Sequence, residues 1–190
     1  DNVLLSASPI VVDGRVYTLN SLSVLRCFED EKGHIVWETD VRNQDEWDER
    51  SITGGLAYSN GMIFATNGSD ELVAVHARSG NIVWRTQIAA PSQSPPSVLN
   101  GRIFVTTIDN RLLALSEKDG SLLWEYVSTA EGTGVLGTAS PAVNREIVVP
   151  VFSNGEVVAL RVENGSVAWG DTLGSSNRFS GFSTISDIEA

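Results

Sequence analysis

Four copies of Gly-x-x-x-Trp divide the chain: Gly33–Trp37, Gly80–Trp84, Gly120–Trp124 and Gly165–Trp169. The tryptophans are 47, 40 and 45 residues apart. The copies align without gaps: counted from Gly14, Gly61, Gly101 and Glu146, each tryptophan falls 23 positions on. Near the start of each copy stands Val16-Tyr17, Ile63-Phe64, Ile103-Phe104 or Val148-Val149. Thirteen positions in comes a small residue, Cys27, Ala74, Ala114 or Ala159. Just before tryptophan come Ile35-Val36, Ile82-Val83, Leu122-Leu123 and Val167-Ala168. A repeat of this length dominates every other constraint, because each unit must bury its faces against its neighbours.

Each copy reads as four short strands. In the third, strands are expected over 96–99, 102–108, 112–117 and 122–127. The turns between them are Asn100-Gly101, Asp109-Asn110 and Asp119-Gly120. Asn-Gly and Asp-Gly supply the positive φ of tight hairpins, and the chain holds seven of them, which argues against helices. The second strands are apolar without strict alternation, as in sheets covered on both faces. A tryptophan closing each unit can bury a large area against the next while its N–H keeps a partner. A period of about 40–45 residues is that of a propeller blade. The expectation is an all-β propeller segment with blades at approximately 1–42, 51–90, 94–128 and 137–174, and the start of a further blade at 183–190.

Composition narrows the function. With 24 acidic and 13 basic side chains the net charge of −11 argues against a phosphate-binding face for nucleic acid. A hydrophobic content of 42% supports a packed core rather than disorder. No apolar run approaches the roughly 20 residues of a membrane span, and Asp1 leads straight into folded-looking sequence without a targeting segment. One cysteine and two histidines cannot build a Cys/His zinc site or an internal disulfide.

All length variation falls in the link from the tryptophan strand to the next copy's first strand, where the intervals are 19, 12 and 17 residues. In a radial blade this link and the strand two–three turn emerge at one end. Insertions gathered on one face often form a binding surface. The candidate loops are 43–50, 128–136 and 175–189.

The units resemble the PQQ-type propeller repeat, as in Val73-Ala74-Val75-His76-Ala77-Arg78-Ser79-Gly80-Asn81-Ile82-Val83-Trp84. Within that group, finer features are similar to the BamB-type outer-membrane-protein assembly factors. These are Gly54-Gly55-Leu56-Ala57-Tyr58, Asp109-Asn110-Arg111-Leu112-Leu113-Ala114-Leu115, Gly137-Thr138-Ala139-Ser140-Pro141, Ser153-Asn154-Gly155-Glu156-Val157-Val158-Ala159-Leu160 and the tail Ser186-Asp187-Ile188-Glu189. The resemblance implies an eight-bladed, non-enzymatic periplasmic lipoprotein, with about four blades in this chain and no cofactor. Its implied partners are the outer-membrane barrel insertase (BamA-like) and unfolded barrel precursors. Its implied location is the periplasmic face of the Gram-negative outer membrane, held by a lipid anchor absent from this chain. The sequence departs from the family at Gly134-Val135-Leu136-Gly137, where many members carry an arginine.

Several residues admit more than one reading. Val135, Leu136, Asp187 and Glu189 are candidate partner contacts, apolar anchors beside charges, or plain turn residues. Trp47, outside the repeat register within Asp45-Glu46-Trp47-Asp48-Glu49, is a contact candidate or part of a solvated acidic loop. Cys27 stands in an alanine column and reads as a small buried hydrophobe. His34 and His76 read as solvated, and Asn67 and Asn164 as hairpin residues rather than glycosylation sites. The competing functional reading is another PQQ-repeat protein, either a ligand-binding module or a quinoprotein dehydrogenase fragment. The vicinal disulfide that the dehydrogenase class implies cannot form with one cysteine.

Overall fold

The computed structural model describes residues 7–42, 54–129 and 139–172. They form sixteen strands: β1 (Ile10–Val12), β2 (Arg15–Leu19), β3 (Val24–Glu29), β4 (Ile35–Asp40), β5 (Gly55–Ser59), β6 (Met62–Thr66), β7 (Glu71–His76), β8 (Ile82–Gln87), β9 (Ser97–Leu99), β10 (Arg102–Thr106), β11 (Arg111–Ser116), β12 (Leu122–Val127), β13 (Ala142–Val143), β14 (Ile147–Val149), β15 (Glu156–Arg161) and β16 (Val167–Thr172). Each consecutive set of four is one antiparallel sheet in sequence order. The first strands β1, β5, β9 and β13 contact one another in series, so the sheets succeed each other as blades. In the third copy strand two ends at Thr106, short of the expected Ile108, because Thr107 N already turns to the Arg111 carbonyl at 3.0 Å.

The core lies between the blades. Tyr17, Leu19, Leu25 and Cys27 of blade 1 pack with Ile63, Ala65, Val73 and Val75 of blade 2. On the other face of the same strands, Phe64, Leu72 and Ala74 meet Ile103, Val105, Leu113 and Leu115 of blade 3. Phe104, Leu112 and Ala114 then meet Val148, Val158 and Leu160 of blade 4. Successive residues of β6 thus serve two junctions, which is why its sequence does not alternate.

Each tryptophan pairs across strands with the small residue of its copy: Trp37 with Cys27, Trp84 with Ala74, Trp124 with Ala114, Trp169 with Ala159. A register shift follows immediately after that small residue in all four sheets. The indole then leans on its own blade's aromatic, with centroids 5.8–5.9 Å apart for Tyr17–Trp37, Phe64–Trp84 and Phe104–Trp124. It also reaches the next blade: Trp37 Nε1 donates to the Ala77 carbonyl and Trp124 Nε1 to that of Val162, each at 3.0 Å. Trp169 has no following blade among the described residues and is 52% exposed.

The glycine of each motif seats the tryptophan of the preceding copy. A Cβ on Gly80 would lie 2.7 Å from the Trp37 ring, one on Gly120 2.8 Å from Trp84, and one on Gly165 2.5 Å from Trp124. Gly33, with no earlier blade among the described residues, has nothing within 4 Å.

Cys27 is fully buried. Burial pushes its thiol up against the pull of the Arg15 guanidinium, and burial also pushes the Tyr17 hydroxyl up to about 12 from 10.0. The unfolded chain therefore ionises first at both groups. The stability they contribute is whole below their unfolded values and is lost as pH rises through the folded ones. For Tyr17 that window runs from 10.0 to about 12. The urea midpoint of Tyr17→Phe is expected to fall less between pH 9.5 and 11.5 than that of the parent. An equally steep fall would show that Tyr17 ionisation does not drive the loss.

Candidate functional site

Antiparallel blades put the strand two–three turns and the inter-blade links at one end. The stems of the two long links are fixed there by side chains of the next blade. Val41, at the root of the first link, is fully buried. Its carbonyl accepts from Asn67 Nδ2 at 2.9 Å and from Arg85 Nη1 at 3.3 Å. Arg85 also pairs with Glu71 at 3.0 Å and reaches the Asp40 carbonyl at 3.4 Å. The Arg42 side chain holds the Asp40 carboxyl below its ordinary value, outweighing burial. At the root of the next long link, Ser128 N donates to the Asn110 carbonyl at 3.0 Å and Ser128 Oγ accepts from Asn154 Nδ2 at 2.6 Å. Asn110 Oδ1 accepts from the amide and hydroxyl of Ser153, both at 2.9 Å, and ties blade 3 to blade 4.

The short link between these is packed down. Ile88, Ser92 and Ser94 are buried, Thr66 Oγ1 donates to the Ser94 carbonyl at 2.9 Å, and Ile108 N donates to that of Pro91 at 2.9 Å. The Asn67 side-chain oxygen meanwhile closes its own hairpin, accepting from Ser69 N at 3.1 Å and Ser69 Oγ at 2.6 Å.

Among the described residues this end carries four exposed apolar side chains that the sequence did not single out: Leu22, Ile108, Val127 and Val151. Their signal is a bulky apolar residue in or beside a turn, a place polar residues usually fill. Asn110 and Ser153 bring the turns holding Ile108 and Val151 together. The expected contacts Trp47, Val135, Leu136, Asp187 and Glu189 lie outside the described residues, as does the proposed blade start at 183–190.

The opposite end differs. There the apolar pairs that precede each tryptophan, including Ile35, Val83, Leu122 and Val167, lie exposed along the outer strands. His34 and His76 are exposed as well. Among the described residues no three His, Cys, Asp or Glu side chains cluster in a way that could hold a metal ion.

Residues 21–190 match the family described as outer membrane protein assembly factor BamB. The BamB of Salmonella typhimurium is 32% identical over 184 residues, covering 95% of this chain and 47% of that protein. The crystal structure of BamB from Moraxella catarrhalis superposes with a TM-score of 0.75 at 19% identity, covering 90% of this chain and 51% of that one. The quinohemoprotein alcohol dehydrogenase of Comamonas testosteroni superposes at 0.70 and 18% identity, covering 88% of this chain and 35% of its own. At such identities the two structures speak for a shared propeller fold and no more. The chain spans about half the length, or less, of the curated relatives it matches.

Proposed function

This chain belongs to the family of outer membrane protein assembly factor BamB, and on that premise we propose that it is a non-enzymatic scaffold of the outer-membrane β-barrel assembly machinery. It acts at the periplasmic face of the outer membrane, within an eight-bladed lipoprotein, where it binds the BamA-like barrel insertase and aids delivery of unfolded barrel precursors. The observation that carries this reading is the family match over residues 21–190. The link face is the proposed contact surface, with Val135, Leu136, Asp187, Glu189 and Trp47 as its contact residues. Three features support that choice. The length variation collects at this end, the stems of both long links are anchored by buried or paired groups, and Leu22, Ile108, Val127 and Val151 add exposed apolar area beside them.

A quinoprotein dehydrogenase shares the fold, yet this chain's one cysteine is buried in a blade junction and cannot form a vicinal disulfide. Titration with pyrroloquinoline quinone and calcium, followed by absorbance, is expected to show no saturable binding, while purified barrel insertase in detergent binds saturably. Stoichiometric quinone uptake without insertase binding would overturn the scaffold reading.

A further inference from the structure

The second blade junction differs from the first at three neighbouring positions, and at the last two of them from the third junction as well. The first is the residue after the opening turn. At junction one this is Arg15, whose Nη1 crosses to the Arg78 carbonyl at 3.0 Å. At junction two it is Met62, which offers no donor to the corresponding carbonyl, that of Lys118. The second is the foot of the strand three–four turn, where Ala77 and Val162 are buried and apolar. Junction two has Glu117 there, whose Oε1 accepts from Asn60 Nδ2 at 3.0 Å. The third is the indole N–H. Trp37 and Trp124 reach a carbonyl of the next blade, whereas Trp84 Nε1 is buried without an acceptor. A buried donor left unpaired calls for a physical reason.

Together these departures open a groove of about 350 Å³ between blades 2 and 3. Met62, Val83 and Trp84 form one wall, Glu117 and Lys118 the other, and Asn60 stands at the mouth. The groove lies at the end opposite the link face and does not depend on the reading of that face.

We propose that this groove takes an arginine side chain from an extended segment of a partner protein, in the place that Arg15 fills at junction one. The methylene stem would lie on Met62 and Val83, as long cationic side chains lie along apolar surface. The planar guanidinium offers five donors, enough for both the Lys118 carbonyl and the Glu117 carboxylate. Trp84 supplies a ring for the cation to rest against. Glu117 supplies the carboxylate of the lining; the Lys118 side chain also lines the groove but is exposed, where water and salt screen its charge. The chain's net charge of −11 also favours approach of a basic segment. Lysine fits less well, because its compact charge cannot span two acceptors.

The test uses the fluorescein-labelled peptide Gly-Leu-Arg-Leu-Gly, with citrulline and norleucine in place of arginine as controls, read by polarisation. The arginine peptide is expected to bind saturably. Glu117→Gln is expected to weaken it about tenfold or more, the cost of losing a hydrogen bond to a charged group. Met62→Arg, which restores the residue type of junction one, is expected to occlude the groove and abolish binding while the melting temperature holds or rises. In ¹H–¹⁵N spectra the Trp84 indole resonance, assigned with Trp84→Phe, should move on binding and that of Trp169 should not. Absence of binding by the arginine peptide, or undiminished binding to Met62→Arg, would overturn the proposal. Equal binding of the norleucine peptide would replace the arginine with an apolar occupant and overturn it as well.

Discussion

Replacing Gly80 by alanine is expected to lower the melting temperature by about 10 °C, and the same change at Gly33 by less than half of that, about 4 °C. Both glycines adopt positive φ, +76° at Gly80 and +66° at Gly33, so both substitutions meet the left-handed cost of roughly 1–2 kcal/mol. Only Gly80 has a neighbour to strike. Its Cβ would stand 2.7 Å from Trp37 Cδ2 and 2.8 Å from Cε3, inside van der Waals contact. The ring cannot retreat freely, because Trp37 Nε1 is bonded to the Ala77 carbonyl at 3.0 Å and Thr39 Oγ1 donates to the Gly80 carbonyl at 2.6 Å. Overpacking of this kind adds about 1–3 kcal/mol. In a chain of this size each kcal/mol shifts the midpoint by about 2–4 °C. Parallel thermal melts followed by circular dichroism decide the matter: equal losses at the two sites would mean that the glycines serve only their turns.

Truncating Trp124 to alanine is expected to cost about 3–5 kcal/mol, the range for emptying a large aromatic site in a core. The change removes the ring partner of Phe104 at 5.9 Å and the hydrogen bond to the Val162 carbonyl at 3.0 Å, and leaves a cavity over Ala114. Trp169 occupies the same place in its copy but is 52% exposed. Its truncation in the 190-residue chain is expected to cost about 1 kcal/mol or less, within the usual range for surface changes. In a longer chain that carries a further blade after residue 190, the cost at Trp169 should rise to that at Trp124. Urea denaturation of the three variants, each beside its own parent, measures this directly. A large loss at Trp169 in the short chain would show that the tryptophan column works within a blade rather than between blades.

The contrast between Gly80 and Gly33 also shows how far the sequence can be read. Strand number, turn positions and the tryptophan and alanine columns were all legible, because each is a property of one copy repeated four times. The Trp–Gly contact was not. Its two residues stand in every copy only four positions apart, as Gly80 and Trp84 do, yet the contact joins Trp37 to Gly80 across a junction. Periodicity reports what recurs, and it cannot say which copy supplies the partner. The pairs Ile35-Val36 and Leu122-Leu123 mislead in another way. They recur like core residues, but the register shift beside the tryptophan turns them to the outer wall, where they are exposed. Junction two was hidden for the opposite reason. Met62 and Glu117 stand in mixed columns, beside Ile147 and Asp30 as well as Arg15 and Ala77, and that mixture looks like ordinary variation until Arg15 is seen crossing the equivalent gap. On the link face, the turns that carry Ile108 and Val151 are tied by the bond of Ser153 to Asn110, a contact that spans 43 residues.

The proposal of a scaffold that binds through its link face meets its most direct test in the affinity of the protein for purified barrel insertase, measured with and without three substitutions. Leu136→Ala removes an apolar anchor, worth about 2 kcal/mol or more at an interface hot spot. Asp187→Lys and Glu189→Lys reverse charge at the rim, which slows association and alters its salt dependence. None of the three lies in an apolar column of the repeat, so the melting temperature should stay within a few degrees of the parent. The expected result is saturable binding by the parent protein, weaker by about thirtyfold or more in the triple variant, with a shallower dependence on salt. Undiminished affinity in a triple variant that melts like the parent would contradict the assignment of the link face, and absence of binding by the parent protein would contradict the scaffold itself.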